Sequence, residues 1–166
     1  MFKKIVLIAL VMFPAMAFAQ EKIAHLNSAD VVTAMPEYKA MTDSMQKQAT
    51  AFQAEFKGIT DEYTKKFTDF NNQQDSLNNA IKLRRTAELD QIRQRAADFQ
   101  EFAQQEQEKL QQTLMGPIYN KLQKAIDDVG KENGFLYILN SSQSLLYASP
   151  GSVDATPLVK KKLGIQ

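Results

Sequence analysis

The sequence has no cysteine, no tryptophan and one histidine, and from Glu37 to Met115 it has no proline and a single glycine, Gly58. Without cysteine there can be no disulfide, no thiolate metal site and no thiol nucleophile. The lone His25 cannot form a histidine cluster. Alternation along its strand candidate sets it on the face opposite Ala24 and Leu26, where an ordinary surface histidine sits. Carboxylates offer no better centre: Asp61-Glu62 and Asp127-Asp128 lie among lysines and read as solvated helix faces. A phosphate-cradling glycine loop is also missing. These absences argue against an enzyme and imply neither cofactor nor metal.

Neither sign of charge is in excess, with 20 Lys and Arg against 19 Asp and Glu. A bulk electrostatic grip on nucleic acid needs concentrated cations, so no nucleic-acid partner is expected. Long apolar runs are scarce too. The one candidate is Ile5–Phe13, preceded by Lys3 and Lys4 and followed by Ala17-Phe18-Ala19, the small-x-small pattern of a signal peptidase site. A spanning helix needs about 20 apolar residues, and this run is shorter and closed by Pro14. A signal peptide over residues 1–19 is therefore expected, cleaved after Ala19. Its removal leaves 18 basic and 19 acidic side chains, a net charge of −1.

What is present is helical periodicity. Tyr38, Met45, Phe52, Ile59 and Lys66 occupy one seam of a heptad, and Thr42, Ala49, Phe56, Tyr63 and Phe70 the other. A second register runs through Leu89, Ala96, Ala103 and Leu110, and through Ile92, Phe99, Glu106 and Thr113. Between them lies Asn71-Asn72-Gln73-Gln74-Asp75-Ser76, whose side chains compete with helix by local hydrogen bonding. The chain is predicted to reverse there, with the tip near residues 71–79 and Ser76 able to cap the return helix. Phe52 then faces Phe99, Ile59 faces Ile92, and Phe56 faces Ala96. At 1.5 Å per residue such a hairpin projects roughly 55 to 60 Å.

Met41, Phe67 and Phe102 fall beside the seams. They either widen the helix contact or form a dispersed apolar surface suited to holding non-native chains weakly at many points. Lys82, Arg84, Arg85, Arg93 and Arg95 give the return helix a basic stretch near the tip. It reads either as a partner site or as a solvated face with pairs such as Arg84–Glu88.

The segments flanking the hairpin differ from it. Lys22–Leu26 is a strand candidate, Asn27 or Ser28 a cap, and Val31-Val32 part of a brief helix ending near Pro36. Gly116-Pro117 marks a bend or restart, followed by helical spacing through Ile118, Leu122, Ala125 and Val129 to a stop at Gly134. Phe135–Leu139 reads as a buried strand, Asn140–Gln143 as a turn and Ser144–Ala148 as its hairpin partner. Thr156-Pro157 starts a last helix that ends at Gly164. Three short strands cannot cover the Phe135–Leu139 face within one chain, which predicts an obligate homo-oligomer joined through this part.

The strand Lys22–Leu26 leading into Asn27, the Gln-rich helical hairpin, and the closing run from Phe135 through Leu145-Leu146-Tyr147-Ala148 to Asp154-Ala155-Thr156 resemble the OmpH/Skp family of periplasmic chaperones. The resemblance implies a mainly α fold with a small β head, in which a long antiparallel coiled-coil hairpin, the tentacle, projects from a β-containing oligomerisation body. Residues 20–36 and 115–166 would form the head and 37–114 the tentacle. It further implies a periplasmic homotrimer that holds unfolded outer-membrane proteins between its arms without ATP, with weak lipid or lipopolysaccharide contact at the tips. Ala155 departs from the larger residue usual in the Asp-x-Thr motif, a small loss of head packing. Near-neutrality departs from the basic character of better-studied members. An exported structural or adaptor coiled coil without chaperone activity is the alternative that periodicity leaves open.

Overall fold

The structure, a computed structural model, describes residues 22–143 and 145–165. Its elements are β1 (Lys22–Leu26), α1 (Ser28–Ala34), α2 (Pro36–Gln73), a 3-10 turn at Gln74–Ser76, α3 (Asn79–Asn133), β2 (Phe135–Asn140), β3 (Val153–Asp154) and α4 (Thr156–Leu163). The proposed signal peptide lies outside the described residues.

Helices α2 and α3 form the antiparallel hairpin that the two heptad registers require. Their ends follow from local chemistry. Asn27 caps α1 by accepting a hydrogen bond from the Asp30 amide at 3.2 Å. Pro36 opens α2, where its missing N–H is not needed. The return helix is capped by Asn78, whose Oδ1 accepts from the Ile81 amide at 2.9 Å. Ser76 does not serve as that cap; its hydroxyl donates back to the Gln73 carbonyl at 2.8 Å and closes the 3-10 turn. Gly134, at φ 65°, lets the chain leave α3 in the left-handed conformation that side chains resist.

Helix α3 runs unbroken through Gly116-Pro117, so no new helix starts there. Proline inside a helix forfeits one ladder hydrogen bond and costs about 3 kcal/mol. Here Ile118 and Leu122, just beyond it, are 2% and 4% exposed in the main core, and Leu114 and Met115 pack against that core just before it. Anchorage on both sides of Pro117 outweighs the local preference.

The three strands form one sheet in the order β2-β1-β3, with β1 parallel to both neighbours. Leu26 pairs with Asn140 in β2, and His25 with Asp154 in β3. The expected hairpin between Phe135–Leu139 and residues 144–148 is not formed: residues 145–148 are not strand, and Ser144 is outside the described residues. Alternation identifies a strand but not its partner, and parallel pairing needs a long crossover, which the helical hairpin provides.

Ala24 and Leu26 turn inward at 2% exposure each, while His25 between them is half-buried on the other face. Leu26, Val31, Val32 and Met35 pack with Ile118, Leu122, Ala125 and Val129 of α3 and Val159 of α4. Met41 of α2 belongs to the same core. The Asp-x-Thr motif stitches this head together. Asp154 accepts from the Thr156 amide at 2.8 Å, and the Thr156 hydroxyl accepts from the Asn27 amide at 3.1 Å. Ala155 between them is fully buried, and its amide donates to the His25 carbonyl.

Candidate functional site

The arm is zipped differently along its length. Near its middle, Phe52 meets Phe99 edge to face at 5.8 Å and Phe102 at 6.0 Å. Further out, Ile59, Leu89 and Ile92 are buried between the helices. Beyond them Lys66 interrupts the apolar seam, and ion pairs take over. Lys66 bonds Glu88 across the hairpin and lies 3.6 Å from Glu62 on its own helix. Arg95 bonds Glu62 from the opposite side. The Arg95 hydrogen bond holds the Glu62 carboxyl below its usual range, and the Lys66 hydrogen bond does the same for Glu88. Reciprocally, Glu88 raises the Lys66 ammonium.

The three apolar candidates beside the seams part company. Phe67 and Phe102 are 41% and 51% exposed, as a contact surface requires. Met41, at 5%, is not part of any such surface. The seam pattern treats the hairpin as free-standing, whereas α1 and α3 pack around the base of α2 and bury Met41 in the head core. Phe67 stacks on Tyr63 at 5.8 Å, and Arg93 sits 5.1 Å over the Tyr63 ring while donating to its hydroxyl at 2.5 Å.

The five basic candidates differ in their pairing. Arg93 pairs with Asp90 at 3.0 Å, Arg95 with Glu62, and Arg85 with Glu88 at 3.4 Å. The anticipated Arg84–Glu88 pair is absent, because Glu88 turns inward toward Lys66. Among the described residues, Lys82 and Arg84 have no ion pair. Two neighbours escape the heptad altogether: Ile81 and Leu83, 40% and 74% exposed at the start of α3. A scan of seam positions passes over them.

On the head, the strand expected to be buried is not buried within one chain. Leu136, Tyr137 and Leu139 of β2 are 43–59% exposed, and Leu146 and Tyr147 beyond it are more exposed still, at 102% and 76%. The continuous apolar run of β2 signals burial on both faces, and a single chain covers only part of it. No group of three or more metal-ligating side chains occurs among the described residues. His25 Nδ1 lies 3.3 Å from the Ser152 hydroxyl, and among the described residues no hydrogen bond joins the ring to a carboxylate. Among the described residues no helix is long and apolar enough to cross a membrane.

Among the described residues, a three-stranded parallel sheet and four helices, two of them drawn out into a coiled hairpin, define the class: a mainly α protein with a small β head. The family model described as outer membrane protein (OmpH-like) matches residues 22–163, and the chain belongs to the OmpH family. A solved structure from Caulobacter crescentus, of an OmpH-like protein proposed to be an outer membrane chaperone, shares this fold with a TM-score of 0.76. The two are 17% identical, over 87% of this chain and 85% of that one. No curated protein sequence matches this chain.

Proposed function

We propose that this protein is a periplasmic holdase that binds unfolded outer-membrane proteins between the arms of a homotrimer and prevents their aggregation without ATP. Residues 20–36 and 115–166 are its head, and residues 37–114 its tentacle, with the base of α2 lending Met41 to the head core. Family membership supports the general reading. The observation that carries it is the uneven distribution of apolar surface: a charged, solvated arm keeps Phe67 and Phe102 exposed, while the head leaves Leu136, Tyr137 and Leu139 uncovered. The head face suits self-association, since an open apolar sheet face in an exported protein needs a cover. The arm residues suit many weak contacts, which let a client leave without nucleotide. Lys82, Arg84 and Leu83 at the start of α3 are the residues for a weak contact of the tips with lipid or lipopolysaccharide.

The deciding experiment dilutes a urea-unfolded β-barrel protein into buffer containing the mature protein at about one trimer per client, without nucleotide, and follows light scattering. The holdase suppresses scattering; a structural or adaptor coiled coil leaves it unchanged. Sedimentation over a hundredfold dilution range tests the assembly, whose unfolding midpoint shifts with concentration if the head is an obligate interface.

A further inference from the structure

Beside the aromatic cluster, the surface of the arm carries a shallow groove lined by residues of both helices. Ala49 of α2 and Ala103 of α3, two seam positions where heptad packing takes large side chains, both line it. The groove has a volume of about 480 Å³, with Phe52, Phe56 and Phe99 among its walls. Its remaining lining is glutamine: Gln53 on α2, and Gln100, Gln104 and Gln107 along one face of α3. No lining residue is charged, in a sequence of which 23% is charged.

This chemistry selects its occupant. A charged segment would be desolvated with no counter-charge to meet it. A purely apolar ligand would cover the amides and leave them unpaired. A glutamine amide donates and accepts, as a peptide group does. Gln100 to Gln107 spans about 10 Å at 1.5 Å per residue of helix, the length of about three residues of extended chain. The Gln104 Nε2 already donates to Glu108 at 3.0 Å, which leaves its oxygen to accept from a main-chain N–H. In an extended segment every second side chain points the same way. Barrel strands alternate apolar and polar residues, so one such side chain can enter the groove while its neighbours face water.

We infer that this groove seats an uncharged, extended segment of an unfolded polypeptide, with an apolar or aromatic side chain between the phenylalanines and its main chain on the glutamine amides. The inference rests on the holdase reading and assigns it a local binding site. Ala103→Leu fills the groove. Cavity filling stabilises or leaves unchanged the arm's thermal midpoint, whereas a lost binding site lowers affinity, so stability and binding should move in opposite senses.

The test measures binding of a fluorescent ten-residue peptide with alternating aromatic and Thr/Gln residues to the wild-type protein and to Ala103→Leu. It is paired with photo-crosslinking from benzoylphenylalanine placed at Gln100 or, off the groove, at Glu101. Expected are a roughly tenfold loss of affinity in Ala103→Leu, weak dependence on salt, and crosslinks from position 100 well above those from 101. Equal peptide affinity, or equal crosslinking from both positions, overturns the inference, and wild-type suppression of client aggregation then leaves the holdase reading standing. Failure of the wild type to suppress aggregation overturns that reading instead. Should Ala103→Leu not fold, Gln100→Ala with Gln104→Ala, both on exposed positions, decides by the same affinity criterion.

Discussion

The rings of Phe52 and Phe99 meet edge to face across the hairpin, with centroids 5.8 Å apart and planes at 88°. Phe102, at 6.0 Å from Phe52, extends the contact on the return helix. This is the largest aromatic anchor in an arm whose outer part is tied by ions and whose base is tied by the head.

Phe52→Ala therefore loosens the middle of the arm and leaves the head intact. Full burial of Phe would make the loss 3–5 kcal/mol; with Phe52 half-buried, about 2 kcal/mol is expected. Hydrogen exchange should accelerate about thirtyfold near residue 52 of α2 and residue 99 of α3. Unchanged exchange there would remove the anchor role.

Acid should open the outer arm. Hydrogen bonds from Arg95 and Lys66 hold Glu62 and Glu88 below the ordinary glutamate value near 4.5. A depressed carboxyl contributes stability that is present above its unfolded value and lost as pH falls through its folded one. Lys66, raised by Glu88, adds stability that is lost only when pH climbs through its folded value, above 10.5. Glu37 at the base is also lowered, by Lys121, but Met41, Ile118 and Leu122 hold the helices there by apolar packing. Spin labels on Asp69→Cys and Arg84→Cys, specific in a cysteine-free chain, should report a broadened distance below about pH 4.5 before the head unfolds. A distribution unchanged until the head melts would refute the ionic zip.

Thr156→Val should destabilise the head while Thr156→Ser does not. Only the hydroxyl can accept the Asn27 amide, and an orphaned part-buried N–H costs about 1–2 kcal/mol. A fall in melting temperature of about 3–6 °C for the valine variant is expected, with serine near wild type.

Met41→Ser and the pair Phe67→Ser with Phe102→Ser should separate folding from binding. Placing a hydroxyl in the core at Met41 is expected to cost about 2–5 kcal/mol and depress the melting temperature strongly. The double phenylalanine variant should melt near wild type and suppress client aggregation less well. Full suppression by that variant would strip Phe67 and Phe102 of the binding role.

These contrasts trace what the sequence could and could not convey. Phe52 facing Phe99 was legible because period and reversal point together fix a helical register. Gly134 and Gly164 were legible because the left-handed exit of a helix selects glycine on local grounds. The burial of Met41 was not, since it depends on α1 and α3 converging on one turn of α2. Pro117 misled for the same reason: the local penalty is readable, but the packing of Leu114, Met115, Ile118 and Leu122 around it is tertiary. The partner of β2 was hidden because nothing in Phe135–Leu139 encodes a strand more than a hundred residues earlier. In the candidate surface, exposure of Phe67 and Phe102 followed from their seam offset, whereas the groove lined by Ala49 and Ala103 emerges only when residues of both helices are brought together.

The placement of β1 at the centre of its sheet sets an order of assembly. Both of its neighbours come from the far side of the helical hairpin, so a chain emerging N-terminus first presents β1 long before anything can pair with it. A flexible tether of that length would impose a heavy closure entropy and slow folding. A hairpin that zips early, through local contacts, carries β2 back to β1 and shortens the search. The tentacle is thus also the hinge-pin of its own head, and the speed with which α2 and α3 find each other should govern how quickly the sheet forms.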